Sequence, residues 1–343
     1  MDLQQIRQAA KEKLKPICRM CPVCDGRVCA GEVPGMGGIG TGTSFMNNVQ
    51  ALHKWHLNLR TLHDISDPDT TTTLFGKELK APILGAPMAG TKPNLRGLIS
   101  DYELTKAIVQ GCQQAGTLGM AGDVGKYALQ VLEEEQGQGM FIFKPREQQK
   151  IISWATSATQ AGAVGFGIDI DGAGLINMRL LGMYVEPKPL EKLKQLVQAI
   201  ALPFIVKGIM TPDEAELAVE AGAKAIVVSN HGGRVLDHTA GTAEVLPSIA
   251  QRVKGKVAIM VDGGIRSGAD ILKVLALGAD YVLVGRPLLQ AAVGGGTEGV
   301  RLAVEQLTAE LQIAMILTGT PAVTDVSPRV LWEMNTGNCR CKH

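Results

Sequence analysis

Eight short apolar runs, each followed by a stretch of helical pattern, narrow the possible folds of this chain more than any other feature. They are Pro82–Ala86, Thr117–Ala121, Met140–Phe143, Val164–Asp169, Phe204–Lys207, Ala225–Ser229, Val257–Asp262 and Tyr281–Val284. Apolar runs of this length read as strands buried on both faces, and strands alternating with helices form right-handed crossover units. Eight such units predict an α/β fold, a (β/α)8 TIM barrel, and 343 residues suit one barrel with an extension. An open doubly wound sheet would want a glycine-rich dinucleotide turn after its first strand, and none follows Ala86. The expected division is an irregular, cysteine-containing extension over 1–75 and a barrel over 76–343, in a single domain overall.

Local signals agree with that plan. Thr211-Pro212-Asp213-Glu214 places an N-cap, a first-turn proline and two acids at one helix start, and Gly222 marks its stop. A long helix is expected over about Thr297–Leu317, with Arg301, Glu305 and Glu310 on its outer side. The runs Thr70–Thr73 and Glu133–Glu135 read as a solvated loop and a solvated helix end.

Composition excludes several function classes. A formal charge of +1 with dispersed Lys and Arg lacks the basic excess that a phosphate backbone requires, so no nucleic-acid partner is expected. No run of some 18 uncharged apolar residues appears and Met1–Ile17 has no signal-peptide core, so the reading is cytoplasmic, without a membrane partner.

Barrel enzymes build their sites at the C-terminal ends of the strands. Here those ends are polar: Asp169, Lys207, Ser229-Asn230-His231, Asp262-Gly263-Gly264 with Arg266, and Gly285-Arg286. Glycines that expose backbone N–H groups, followed by Arg266 and Arg286, suit a phosphate after the seventh and eighth strands.

The segments Ser229-Asn-His-Gly-Gly-Arg-Val-Leu-Asp237, Asp262-Gly-Gly-Ile-Arg-Ser-Gly-Ala-Asp270 and Gly285-Arg286-Pro287 resemble the FMN-dependent 2-hydroxy-acid oxidase and dehydrogenase family, which includes glycolate and lactate oxidases. The likeness runs from about Ala81 to Val330. It implies oxidation of a small L-2-hydroxy acid to the 2-oxo acid by bound FMN, in a homo-oligomer of four or more subunits. It further implies His231 as catalytic base, Asp169 as the carboxylate that raises its pKa, and Arg234 as the anchor of the substrate carboxylate. Lys207 falls beside flavin N1 and O2, Ala86, Pro87 and Met88 along the flavin ring, and Ser229, Asp262, Gly264, Arg266, Gly285 and Arg286 at its remaining contacts. Some positions depart from the family pattern. Phe141 stands for a substrate-binding tyrosine, Gly122, Gly139 and Gly167 replace polar flavin contacts, and Ile176 lies near a second carboxylate-binding arginine, for which nearby Arg179 is the candidate substitute.

Cys18, Cys21, Cys24 and Cys29 form a C-x2-C-x2-C-x4-C pattern, with Cys339 and Cys341 near the end. That spacing suits structural zinc, an iron–sulfur cluster or plain reduced thiols. His53, His56 and His63 read as an exposed face rather than metal ligands. Two rivals to the oxidoreductase stay open at this point: an FMN-dependent isomerase on the same barrel, and a metal-stapled interaction protein without catalysis.

Overall fold

A computed structural model of the chain describes residues 2–332. Eight parallel strands close a barrel: β1 Ile83–Met88, β2 Leu118–Ala121, β3 Gly139–Phe143, β4 Gly165–Asp169, β5 Phe204–Ile209, β6 Ala225–Val228, β7 Ala258–Val261 and β8 Tyr281–Val284. Each of the eight expected runs supplies one strand, and β8 pairs with β1 to complete the circle.

Strand alternation sorts the side chains into two layers. Leu84, Met120, Met140, Ile142, Ile205, Val227, Met260 and Leu283 fill the barrel interior, while neighbouring residues such as Ile83, Phe141, Phe143 and Phe166 face the helices. Phe141 packs edge-on against Phe143, Phe166 and Trp154. The expectation that Phe141 borders the substrate is therefore corrected. Gly139 shares its outward parity, since a Cβ there would meet Leu132 and Val109. It does not replace a flavin contact either. Continuing the alternation past β3, the first inward position at the rim is Lys144.

The barrel floor is closed by a hairpin, Thr72–Leu74 with Lys77–Leu79, whose Leu74 and Leu79 join the interior cluster. Thr70 is buried and donates to the Lys80 carbonyl, and the Tyr281 hydroxyl donates to the Thr73 carbonyl. The threonine run is thus loop at Thr70–Thr71 and hairpin strand at Thr72–Thr73, with Thr71 and Thr73 exposed as expected and Thr70 buried under the barrel.

Outside the strands, α1 (Leu3–Leu14) starts from an Asp2–Gln5 capping box, and α2 (Thr43–His53) lies over the rim. The start of α3 (Pro212–Glu220) is as expected, with Thr211 accepting from the Glu214 N–H. Then α4 (Gly268–Ala276) precedes β8, and α5 (Arg286–Thr318) follows it. Gly296, at φ 59° and ψ −142°, breaks α5 into two helices, the second beginning at the expected Thr297. Arg301 pairs with Glu298 and Glu305 on its exposed side, but Glu310 accepts the Gly268 N–H and so satisfies the start of α4. Among the described residues, no helix is long and apolar enough to cross a membrane.

The extension is fastened to the loop after β6. Ile39 N–H donates to the Gly233 carbonyl at 2.9 Å, and Thr41 donates to Asp237. The buried amides of Asn48 and Asn230 exchange hydrogen bonds of 2.8 and 3.1 Å. Gly233 has φ +77°, and a Cβ on it would stand 2.3 Å from the Phe45 nitrogen. Only glycine allows α2 this close to the rim.

Candidate active site

His231 follows β6 in the left-handed region, at φ 58°, where its N–H donates to Ser229 Oγ at 3.1 Å. A non-glycine residue there signals a backbone held by its surroundings. Its Nδ1 lies 3.1 Å from Asp171 Oδ1 and 3.3 Å from Oδ2, against 3.8 Å from Asp169 Oδ2. Sequence reasoning chose Asp169, the last residue of β4, and overlooked Asp171 on the short 3-10 turn Ile170–Gly174. Asp169 Oδ2 is taken instead by the Lys144 ammonium at 2.6 Å, in a pair whose side chains are 10% and 5% exposed.

Electrostatics follow from this crowding. Burial pushes the His231 pKa below its ordinary 6.5, against the upward pull of Asp171, and Lys207 and Lys144 push it further down. The expectation of a raised pKa is corrected: desolvation of the cation outweighs the carboxylate. Burial also works against ionised Asp171, yet its pairing with His231 and the charges of Lys207 and Lys144 hold that carboxyl low. The result is a neutral imidazole beside a fixed negative charge, which can accept a proton at Nε2 and be stabilised as it does.

Lys207 lies on β5, one strand over, in register with Asp169. Its ammonium lies 2.9 Å from Ser229 Oγ and 3.5 Å from Asp262 Oδ2. Burial favours its neutral form, but Asp262, Asp171 and Asp169 raise its pKa and keep it cationic.

Arg234 reaches back to the extension. Its guanidinium donates to the Gly35 and Gly37 carbonyls and, at 2.8 Å, to Asn94 Oδ1, which also accepts from Asn177 Nδ2 at 3.0 Å. Burial lowers its pKa to about 10, so it remains charged. Asn94 and Asn177 gave no sequence signal, because isolated amides have no pattern. Arg179 is exposed and does not join this group, which corrects its candidacy as the second arginine.

At the far end, Arg286 donates to the Met36, Gly37 and Gly232 carbonyls and lies 3.8 Å over the Phe45 ring. Arg266 contacts the same ring and donates to the Ile265 and Cys24 carbonyls. Burial, then Arg234 and Arg266, bring the Arg286 pKa down to about 9. Three guanidiniums converge here without a carboxylate partner among the described residues, an arrangement that suits an anion. On the opposite side, the β1–β2 ladder shifts register between Gly85 and Met88, so the backbone of Ala86 and Pro87 is turned out of the ladder.

The sequence model of FMN-dependent dehydrogenases matches residues 35–188 and 177–333, nearly the whole barrel and the part of the extension that meets it. The chain belongs to this family. A 2-hydroxyacid oxidase of Dictyostelium discoideum is 32% identical over 327 residues, covering 84% of this chain and 82% of that one. An L-lactate oxidase of Lactobacillus jensenii is 30% identical, covering 85% and 78%. A mandelate oxidase variant solved with a C4a-OH-FMN adduct superposes with a TM-score of 0.75 at 29% identity, covering 95% and 97%. This FMN-dependent dehydrogenase is thus an oxidoreductase acting on CH–OH groups.

Its residues fit the cofactor. Asp262 Oδ1 and Arg266 Nε are buried at the rim without a hydrogen-bond partner among the described residues, an acceptor for a ribityl hydroxyl and a donor for a phosphate. Arg266, with the glycine turn of Gly263 and Gly264, would hold the phosphate with Arg286 behind it. Lys207 would sit at the pyrimidine end.

The cysteines are a different matter. Among the described residues, the one group of three or more His, Cys, Asp or Glu ligand atoms lying within 4.8 Å of one another is Asp169, Asp171 and His231. Cys18, Cys21, Cys24 and Cys29 are free thiols that do not converge as a zinc or iron–sulfur ligand set, and burial pushes the thiols of Cys18 and Cys29 up. Cys24 instead accepts, through Sγ at 3.4 Å, from Arg266. Cys339 and Cys341 lie outside the described residues.

Which carboxylate holds the base is open to direct test. Asp171→Asn is expected to lower kcat/KM about 10- to 150-fold, the effect of losing one charged hydrogen bond worth about 1.5–3 kcal/mol. With His231 as base, acting in its neutral form, kcat/KM is expected to fall as pH drops through its pKa, which burial lowers from 6.5. Asp171 raises that pKa, so the Asn variant moves the acid limb to lower pH. A pH profile in which Asp169→Asn shifts the limb and Asp171→Asn does not would return the role to Asp169.

Proposed function

We propose that this enzyme oxidises a small L-2-hydroxy acid of the lactate or glycolate type to the 2-oxo acid, with His231 as base. The observation that carries the reading is the imidazole at the barrel rim, neutral by burial and backed through Nδ1 by Asp171 at 3.1 Å. The names of the relatives point to the same substrate class.

When bound, FMN supplies the acceptor for the electron pair that leaves the CH–OH carbon. Arg234 binds the substrate carboxylate through the donors it does not spend on Gly35, Gly37 and Asn94. Its grip on those groups fixes the fork in place before substrate arrives. His231 Nε2 removes a proton from the substrate, and Asp171 stabilises the imidazolium that results. Lys207, kept cationic by Asp262, stabilises negative charge at the pyrimidine edge.

The test is anaerobic absorbance of the purified holoenzyme in the flavin bands during addition of L-lactate, glycolate and bulkier 2-hydroxy acids. Bleaching by lactate or glycolate is the expected result. A yellow enzyme that none of them bleaches overturns the reading.

A further inference from the structure

Resting on the 2-hydroxy-acid reading, the site contains one cation that the mechanism leaves unused. Lys144 lies just past β3, at the inward rim position. Its side chain is 10% exposed, and its stem runs against Gly172, where a Cβ would come within 3.2 Å of Lys144 Cδ. Among the described residues its ammonium has one partner, Asp169 Oδ2 at 2.6 Å. An ammonium has three donors, so two are left. The charged groups packed around His231 are Asp169 at the end of β4, Asp171 on the turn after it, Lys144 after β3, Lys207 on β5 and Arg234 on the base's own loop. Lys207 is committed to Asp262 and Ser229, and Arg179 is exposed.

We propose that Lys144 is a substrate-binding residue that supplies the second positive charge for the substrate carboxylate and shares that carboxylate with Arg234. Asp169 then serves to park the ammonium inside the rim before substrate arrives, which explains why the carboxylate that ends β4 sits 3.8 Å from His231 Nδ1 and leaves the closer place to Asp171. A buried ammonium paired on one side only is a preformed receptor for a second anion.

The assay is flavin reduction in the holoenzyme with a 2-hydroxy acid and with its methyl ester, which keeps the CH–OH group and removes the charge. The expected result for Lys144→Met is a rise in KM for the acid of about 10- to 100-fold, the loss of one charged contact, with little change for the ester. Lys144→Arg should restore much of the acid preference. Lys144 also depresses the His231 pKa, so Lys144→Met should move the acid limb of kcat/KM to higher pH. Retained FMN absorbance shows that the variant is folded. If acid and ester lose equally in Lys144→Met, the lysine merely positions Asp169 and the proposal falls, while the hydroxy-acid reading stands. If wild type is reduced by neither acid nor ester, both fall.

Discussion

His231→Gln is expected to slow anaerobic flavin reduction by about 10²- to 10⁴-fold at saturating substrate, the range in which a positioned general base contributes. Glutamine keeps a polar side chain of similar reach, so Asp171 retains a donor and the left-handed backbone at 231 is the same for both variant and wild type. Substrate affinity, which the proposal assigns to Arg234 and Lys144 rather than to the imidazole, should change little. Stopped-flow reduction at several substrate concentrations separates the two quantities. A variant reduced within tenfold of the wild-type rate would remove His231 from the chemistry.

The second large effect is expected at Lys207. Lys207→Met removes a buried ammonium that lies between Asp262 and Ser229, and with it the charge proposed to face reduced flavin. Losing one preorganised donor at a developing negative charge costs about 10²–10³ in rate. The same variant leaves Asp262 buried without its cation, so weaker FMN retention should accompany the slower reduction. A photoreduction titration supplies the independent readout: the flavin potential should fall, since the anionic reduced form loses its partner. An unchanged potential would place the lysine in a structural role only.

The barrel was legible because its signal is repeated. Eight buried runs in alternation give a periodicity that no single substitution hides, and the capping residues around Thr211 and Gly222 mark element ends by local chemistry. The rim positions of His231, Lys207 and Asp262 follow from the same signal, each lying at or just past the end of a run. What failed was parity and distance. Phe141 and Gly139 were placed on the wrong side of β3 because motif position was followed instead of alternation, which would have pointed to Lys144. Asp171 was missed because a turn two residues beyond a strand end has no sequence mark, although its side chain is the nearer one to His231. The pull between burial and charge on His231 cannot be read from sequence, since it depends on how much water the folded rim excludes. The cysteines show the converse: their spacing is that of a metal site, but among the described residues no three of their sulfurs lie within 4.8 Å of one another, and Cys24 turns to Arg266 instead.

The fastening of the extension to the loop after β6 has a bearing on how the enzyme is made. Asn48 meets Asn230 across 182 positions, and the Gly35 carbonyl meets Arg234 across 199. On the ribosome, the residues that clasp the rim emerge first, and their partners follow only after six of the eight strands have been synthesised. During that interval the Gly-rich stretch around residues 35–42 and the apolar face of α2 have nothing to pack on. Contacts of such separation are made late, after the local βα units have condensed. Substrate and cofactor geometry around Arg234 and Arg286 is therefore the last thing the nascent chain acquires, and a polypeptide stalled before β6 would hold much of a barrel yet no competent site.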